Sequence, residues 1–328
     1  MLTNLQSLLF ILVAAAASRG APLPPQLARH DVDVIYGRKD GVALTMDVIQ
    51  PHKPNGRGVI FIVSGGWFSA HNFTAQTLLA FNGELIDRGY TVFAVVHGSQ
   101  PRYAIPDAVS DVNRAVRYIQ TNAARWNVDP DRLGIVGGSA GGHLSLCIGL
   151  NPQKPKADAP DPVDRASGRV RAVAAWFPPT DFLNYGETGK NALGRGVLDP
   201  FYGAFEFREI DPRLKRPVIV TDEKRREEIG REISPAYHVD SDDPPVLLIH
   251  GDKDVLVPLQ QSKLLEEKLK EAGVEVKLVV RPGKGHGWPD IKPDTIEIAD
   301  WFDAHLLHAG PATRPAASRP AATTHSAR

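Results

Sequence analysis

Leu133-Gly134-Ile135-Val136-Gly137-Gly138-Ser139-Ala140-Gly141-Gly142-His143-Leu144 decides how this chain is read. Residues 133–136 have the apolar run of a short buried strand, a glycine-flanked serine follows at once, and helical spacing begins behind Gly142. A serine hydroxyl is a weak nucleophile, so one that attacks a carbonyl must stand on a sharp turn, open to a base. Glycines on both sides remove side chains that would collide there. The rival reading is a turn that binds phosphate at a helix N-terminus. The segment lacks the lysine of a P-loop and the spacing of a dinucleotide fingerprint, which ranks that reading lower.

Outward from this turn the pattern alternates. Residues 59–63 form an apolar run, 75–88 have helical spacing, and 90–96 form a second apolar run ending at His97. Ile105, Val109, Val112, Val116 and Ile119 recur three or four apart, with Pro106 in the first turn of that helix. Downstream, apolar runs at 170–177, 246–250 and 276–280 are read as buried strands, separated by helical stretches at 144–150, 260–272 and 294–307. Buried strands alternating with helices predict an α/β fold with a mostly parallel central sheet and helices on both faces. Ahead of it, residues 30–36 and 42–48 alternate apolar and polar around Gly37–Gly41, as in a hairpin at a sheet edge. The domain is set at residues 30–308. Within it, residues 182–232 lose periodicity and are too long for an ordinary connection, so they are read as a cap or lid insertion over the site.

The serine needs a base. His286 in Gly283-Lys284-Gly285-His286-Gly287-Trp288 follows the last apolar run, at the strand end where open α/β sheets build their sites. A carboxylate to orient it is expected in His250-Gly251-Asp252-Lys253-Asp254; Asp254 is chosen, and Asp252 is left to turn the loop. The order Ser139, Asp254, His286 is the chain order of one known triad arrangement. Oxyanion donors are expected from Ser64-Gly65-Gly66-Trp67, by the N–H of Gly65 or Gly66, and from Ala140 behind the nucleophile. Trp67, Phe68 and Trp288 are expected as pocket walls, with Phe201, Tyr202 and Phe205 of the insertion as further aromatic candidates.

Composition sets the limits. The chain has 328 residues, 42% of them hydrophobic, and 38 basic against 38 acidic side chains. A formal charge of zero gives no electrostatic reason to expect nucleic acid as a partner. Residues 1–21 read as an export signal too short to span a membrane, predicting a periplasmic or secreted protein. Residues 309–328, rich in Ala, Pro, Thr and Arg, read as a disordered tail. Cys147 is the only cysteine and lies in an apolar helical pattern, so it reads as a small core residue.

The segments from Asp107-Ala108-Val109-Ser110-Asp111 through Asp129-Pro130-Asp131-Arg132 to Gly137-Gly138-Ser139-Ala140-Gly141-Gly142-His143-Leu144, with the Asp254 and His286 motifs, resemble esterases of the α/β-hydrolase superfamily. The similarity extends over residues 33–307. Within the superfamily the chain looks like carbohydrate-acetylesterase and feruloyl-esterase-like proteins and the hormone-sensitive-lipase-like group. The resemblance implies an α/β-hydrolase fold and a serine esterase that cleaves short-chain carboxylic esters through an acyl-enzyme. Acetyl or feruloyl esters of carbohydrates are the substrate class in view, and neither metal nor organic cofactor is needed. Two departures stand out. Where such esterases carry His-Gly-Gly-Gly-Trp, this chain has Val63-Ser64-Gly65-Gly66-Trp67, and where relatives often have Tyr-Arg-Leu it has His97-Gly98-Ser99-Gln100. The rival functions are a prolyl-oligopeptidase-like serine peptidase and a non-catalytic binding module on the same fold. Oligomeric state is left open.

Overall fold

The computed structural model describes residues 23–71 and 75–308; the expected export signal (1–21) and tail (309–328) lie outside the described residues. Asp40 and Gly41, both at positive φ, close the first hairpin between β1 (Leu27–Lys39) and β2 (Val42–Pro51). The main run of the sheet follows in β3 (Gly58–Val63), β4 (Thr91–Val96), β5 (Leu133–Gly138) and β6 (Ala172–Trp176). The insertion carries a short antiparallel hairpin of β7 (Arg208–Ile210) and β8 (Pro217–Ile219). β9 (Val246–Gly251) and β10 (Val276–Arg281) complete an eight-stranded sheet in the order β1-β2-β4-β3-β5-β6-β9-β10. β2 pairs antiparallel with β1 and β4, and every other pair is parallel.

The described residues form six α-helices: α1 (Ala75–Asp87), α2 (Ile105–Thr121), α3 (Ala140–Leu150), α4 (Glu223–Glu232), α5 (Gln260–Glu271) and α6 (Lys292–Phe302). Successive side chains of a strand point to opposite faces, so each central strand feeds two cores. Ile60 and Ile62 of β3 pack in one core with Val112 of α2 and Leu265 of α5. Val59, Phe61 and Val63 pack in the other with Leu85 of α1 and Phe302 of α6. These strands are buried on both faces, which is why they read as unbroken apolar runs.

Three local expectations are corrected. β10 is the edge strand beyond β9 and is only half-buried, because its outer side has no neighbouring strand. α3 begins at Ala140, directly behind the serine; all its residues are buried, so no amphipathic stripe marks its start. The last helix ends at Phe302 and passes into a π-helical turn at Asp303–Leu307. The insertion is not structureless: besides its hairpin it holds a 3₁₀ segment at Gly196–Phe205 and leads into α4. Among the described residues no helix is long and apolar enough to cross a membrane.

From β3 the chain moves to β4 on one side and then to β5 on the other, so the carboxyl ends of β3 and β5 form the topological switch point. Open α/β sheets bind ligands in that crevice. The glycine loop leaves β3 there, and Ser139 leaves β5 there.

Candidate active site

Ser139 links β5 to α3 with φ 53° and ψ −119°, a conformation sparsely allowed for a residue with a side chain. Its N–H donates to the Trp176 carbonyl at 2.8 Å, and its own carbonyl accepts from the His143 N–H at 2.9 Å. The neighbouring glycines differ in importance. A Cβ on Gly137 would lie 2.5 Å from the Gly141 carbonyl carbon, and one on Gly141 would lie 2.8 Å from the Ile62 oxygen. On Gly138 the nearest atom is 3.7 Å away, so clearance does not require a glycine there.

His286 lies in the loop after β10 and reaches Ser139 across 147 residues of sequence, with Nε2 2.9 Å from Oγ. Its Nδ1 is 2.8 Å from Asp254 Oδ2. A carboxylate only accepts, so Nδ1 carries the hydrogen and the Nε2 lone pair faces the hydroxyl. Asp254 Oδ1 accepts from the N–H groups of Leu256 and Val257, each at 2.9 Å. Burial alone would push the Asp254 carboxyl up, but hydrogen bonds from His250 and His286 outweigh it and hold the group at about 2. Asp252 accepts from the Gly283 N–H at 2.7 Å and ties the two loops together. They approach so closely that a Cβ on Gly251 would lie 2.3 Å from the Lys284 oxygen.

The glycine loop after β3 forms a tight turn. Gly65 and Phe68 exchange both backbone hydrogen bonds at 3.0 Å, with Gly66 and Trp67 at φ 56° and 58° between them. The Gly65 N–H is therefore engaged, which removes it from the expected oxyanion donors. The N–H groups of Gly66 and Ala140 have no acceptor among the described residues. Gln100 holds the turn from outside, Nε2 donating to the Gly66 carbonyl at 2.8 Å. The Val63-Ser64 departure acquires a partner: His97, at the end of β4, places Nε2 2.8 Å from Ser64 Oγ. Its Nδ1–H donates to the Gly98 carbonyl at 2.8 Å, so the Ser64 hydroxyl donates to Nε2.

A comparison with known families matches BD-FAE over residues 46–269. The chain belongs to the BD-FAE family. Among curated relatives of this BD-FAE member, a probable carboxylic ester hydrolase, LipM of Mycobacterium tuberculosis, is 28% identical over 255 residues, 74% of this chain and 52% of LipM. The isoprenylcysteine alpha-carbonyl methylesterase ICME of Arabidopsis thaliana is 24% identical over 77% of this chain and 55% of its own length. The chain thus spans a little over half the length of these two. A solved structure described as a truncated form of a carbohydrate esterase from gut microbiota is similar at TM-score 0.70 and 27% identity, over 87% of this chain and 99% of that one. Esterase 2 of Thermogutta terrifontis, in its apo form, shares the fold at TM-score 0.63 and 24% identity, over 88% of this chain and 98% of that one.

The aromatic residues expected to wall the pocket of this BD-FAE chain divide. Trp67 is 3% exposed, donates Nε1–H to His143 Nδ1 at 3.1 Å and packs against Phe182, Phe201 and Phe205. It joins the glycine turn to the insertion and lines no open wall. His143 in turn donates Nε2–H to the Ile233 carbonyl at 2.7 Å. Trp288 is 4% exposed and donates to Asp294 at 2.7 Å. Phe68 and Tyr202 remain exposed, at 46% and 50%. One residue was missed: Phe177, at φ 37°, sets its ring 4.6 Å from that of His286 and 5.6 Å from that of Trp288. Its place immediately beyond β6, at the same strand end as Ser139, was the signal.

His97 and His143 carry a stability prediction. Burial lowers both imidazoles to about 4, against hydrogen bonds to carbonyls that act the other way. The unfolded chain binds these protons near 6.5 and the folded one only near 4, so their contribution is complete above 6.5 and is lost as pH falls through that window. Each imidazole is worth roughly 3 kcal/mol at most across it. Asp243, pushed up to about 7 mainly by burial, acts with the opposite sign there. The measurement is therefore a difference: melting curves between pH 7 and 4.5 should fall less steeply in His97→Gln than in the unaltered protein. Equal slopes would contradict the buried, neutral His97.

Proposed function

We propose that this protein is a serine carboxylic-ester hydrolase, with Ser139 as nucleophile, His286 as general base and Asp254 holding the imidazole. One observation carries the reading: Ser139 Oγ, His286 and Asp254 form a continuous hydrogen-bonded line of 2.9 and 2.8 Å on a strand-to-helix turn. In the reaction Ser139 Oγ attacks the ester carbonyl as its proton passes to His286 Nε2, and the N–H groups of Gly66 and Ala140 receive the developing oxyanion. His286 then protonates the leaving alcohol. Water, deprotonated by the same imidazole, releases the acid from the acyl-enzyme. No step draws on a metal or organic cofactor.

For substrate we infer short-chain esters, with acetyl or feruloyl esters of carbohydrates as the natural class. The family, the carbohydrate-esterase neighbour and the exposed rings of Phe68 and Tyr202 support this reading. A fluorophosphonate probe should label Ser139 alone and abolish hydrolysis of 4-nitrophenyl acetate in proportion. Labelling elsewhere, or full activity after labelling of Ser139, would sink the assignment. Cleavage of a peptidyl-4-nitroanilide without ester hydrolysis would favour the peptidase instead.

A further inference from the structure

Residues 97–100 leave the carboxyl end of β4 and run beside the glycine loop that leaves β3. His97, Ser99 and Gln100 each bond to that loop. The Ser64 hydroxyl donates to His97 Nε2, as described above, and the His97 N–H donates to Ser69 Oγ at 3.2 Å. Ser99 Oγ accepts from the Ser69 N–H at 2.8 Å and donates to the Ser69 carbonyl at 2.6 Å. Gln100 takes two consecutive carbonyls: its side-chain amide donates to Gly66 at 2.8 Å and its backbone N–H donates to Trp67 at 3.2 Å.

The turn held in this way is not the one its residues favour. With Gly65 and Phe68 paired, Gly66 and Trp67 are the two central residues of a hairpin loop. Glycine followed by a residue with a side chain suits the type II′ loop, in which only the first central residue has positive φ. Here both have it, at 56° and 58°, which is the type I′ arrangement and is disfavoured for tryptophan. The two forms differ by rotation of the peptide between Gly66 and Trp67, which exchanges the sides of its carbonyl and its N–H. In type II′ the Gly66 carbonyl would leave Gln100. Trp67 would leave the place where its Nε1–H meets His143 and its ring meets Phe182 and Phe205. The insertion encloses the Gln100 amide from outside, so closely that a Cβ on Gly203 would lie 2.7 Å from Oε1.

We propose that Gln100 is a positioning residue of the active site, whose amide selects the type I′ form of the glycine turn. The inference rests on the serine-esterase reading above, with the Gly66 and Ala140 N–H groups as oxyanion donors. Gly66 stands on the turn and Ala140 on α3, and the bond from Trp67 to His143 of α3 ties the two together. Rotation of the peptide breaks that tie. An oxyanion donor counts only within hydrogen-bonding reach of the charge that develops, so a rotated turn lowers kcat and leaves ground-state binding intact.

The test compares the unaltered full chain with Gln100→Met, which keeps the length of the side chain and removes the donor, and with Gln100→Glu. Gln100→Met should lower kcat for 4-nitrophenyl acetate about ten- to a hundredfold, with KM within about twofold. A trifluoromethyl ketone, whose adduct with Ser139 carries an oxyanion, should bind more weakly by the same factor as kcat/KM falls. Gln100→Glu reports even if Gln100→Met fails to fold, because its carboxylate only accepts whereas the protonated acid donates. Its kcat/KM, divided by that of the unaltered protein at each pH, should therefore rise as pH falls from about 8 to about 5. The division removes the titration of His286, which both proteins share. A ratio that does not change with pH, or a kcat of Gln100→Met within threefold of the unaltered value, beside an inactive Ser139→Ala, would overturn the role of Gln100 and leave the serine reading standing. An active Ser139→Ala would overturn both.

Discussion

Ser139→Ala should lower kcat for 4-nitrophenyl acetate by about 10⁴ to 10⁶-fold, with KM nearly unchanged. The size follows from the geometry. Without Oγ there is no atom to form the acyl-enzyme, and His286 Nε2 faces a methyl group where a hydroxyl stood 2.9 Å away. The N–H groups of Gly66 and Ala140 remain, so the residual rate measures what the oxyanion donors and binding achieve alone. The elbow itself should persist, because backbone bonds to Trp176 and His143 hold it and alanine keeps the Cβ. The measurement is steady-state kinetics beside a melting curve; an active, folded Ser139→Ala protein would end the serine mechanism.

Asp254→Asn should cost about 10⁴-fold in kcat while changing volume hardly at all. Oδ1 of Asp254 accepts two backbone N–H groups, from Leu256 and Val257. In the variant the amide oxygen must stay in that place, which turns the amide NH₂ toward His286 Nδ1. Nδ1 then has to accept, the hydrogen moves to Nε2, and the imidazole can no longer take the Ser139 proton. Kinetics together with the ring ¹⁵N shifts of His286 would check both halves: the rate loss and the exchanged tautomer. A loss under tenfold with the tautomer unchanged would show that Asp254 does not orient this histidine.

Much of this was legible in the chain. The unbroken apolar runs at 59–63 and 246–250 are strands buried on both faces, and the serine falls between a strand and a helix. The choice of Asp254 over Asp252 matches the hydrogen bonds found, since Asp254 meets His286 and Asp252 meets Gly283. Such features are written locally, in the period of apolar residues and in the dihedral needs of glycine and serine over a few positions.

Other features depended on partners distant in sequence. The division between Gly65, whose N–H is engaged by Phe68, and Gly66, whose N–H has no acceptor among the described residues, depends on a turn conformation the two glycines do not reveal. Trp67 is read as a pocket wall until the insertion buries it, and His97 has no visible purpose until Ser64 lies beside it. Gln100 and Gly66 share no motif and meet only because β4 lies beside β3 in the sheet. The sequence by itself determined the order of strands and helices outside the insertion, because that follows from local periodicity, and it singled out Ser139, Asp254 and His286 by their places after apolar runs. Only the tertiary structure decided which polar atoms are taken and which are left free, because a hydrogen bond is allotted by whichever group arrives across the fold.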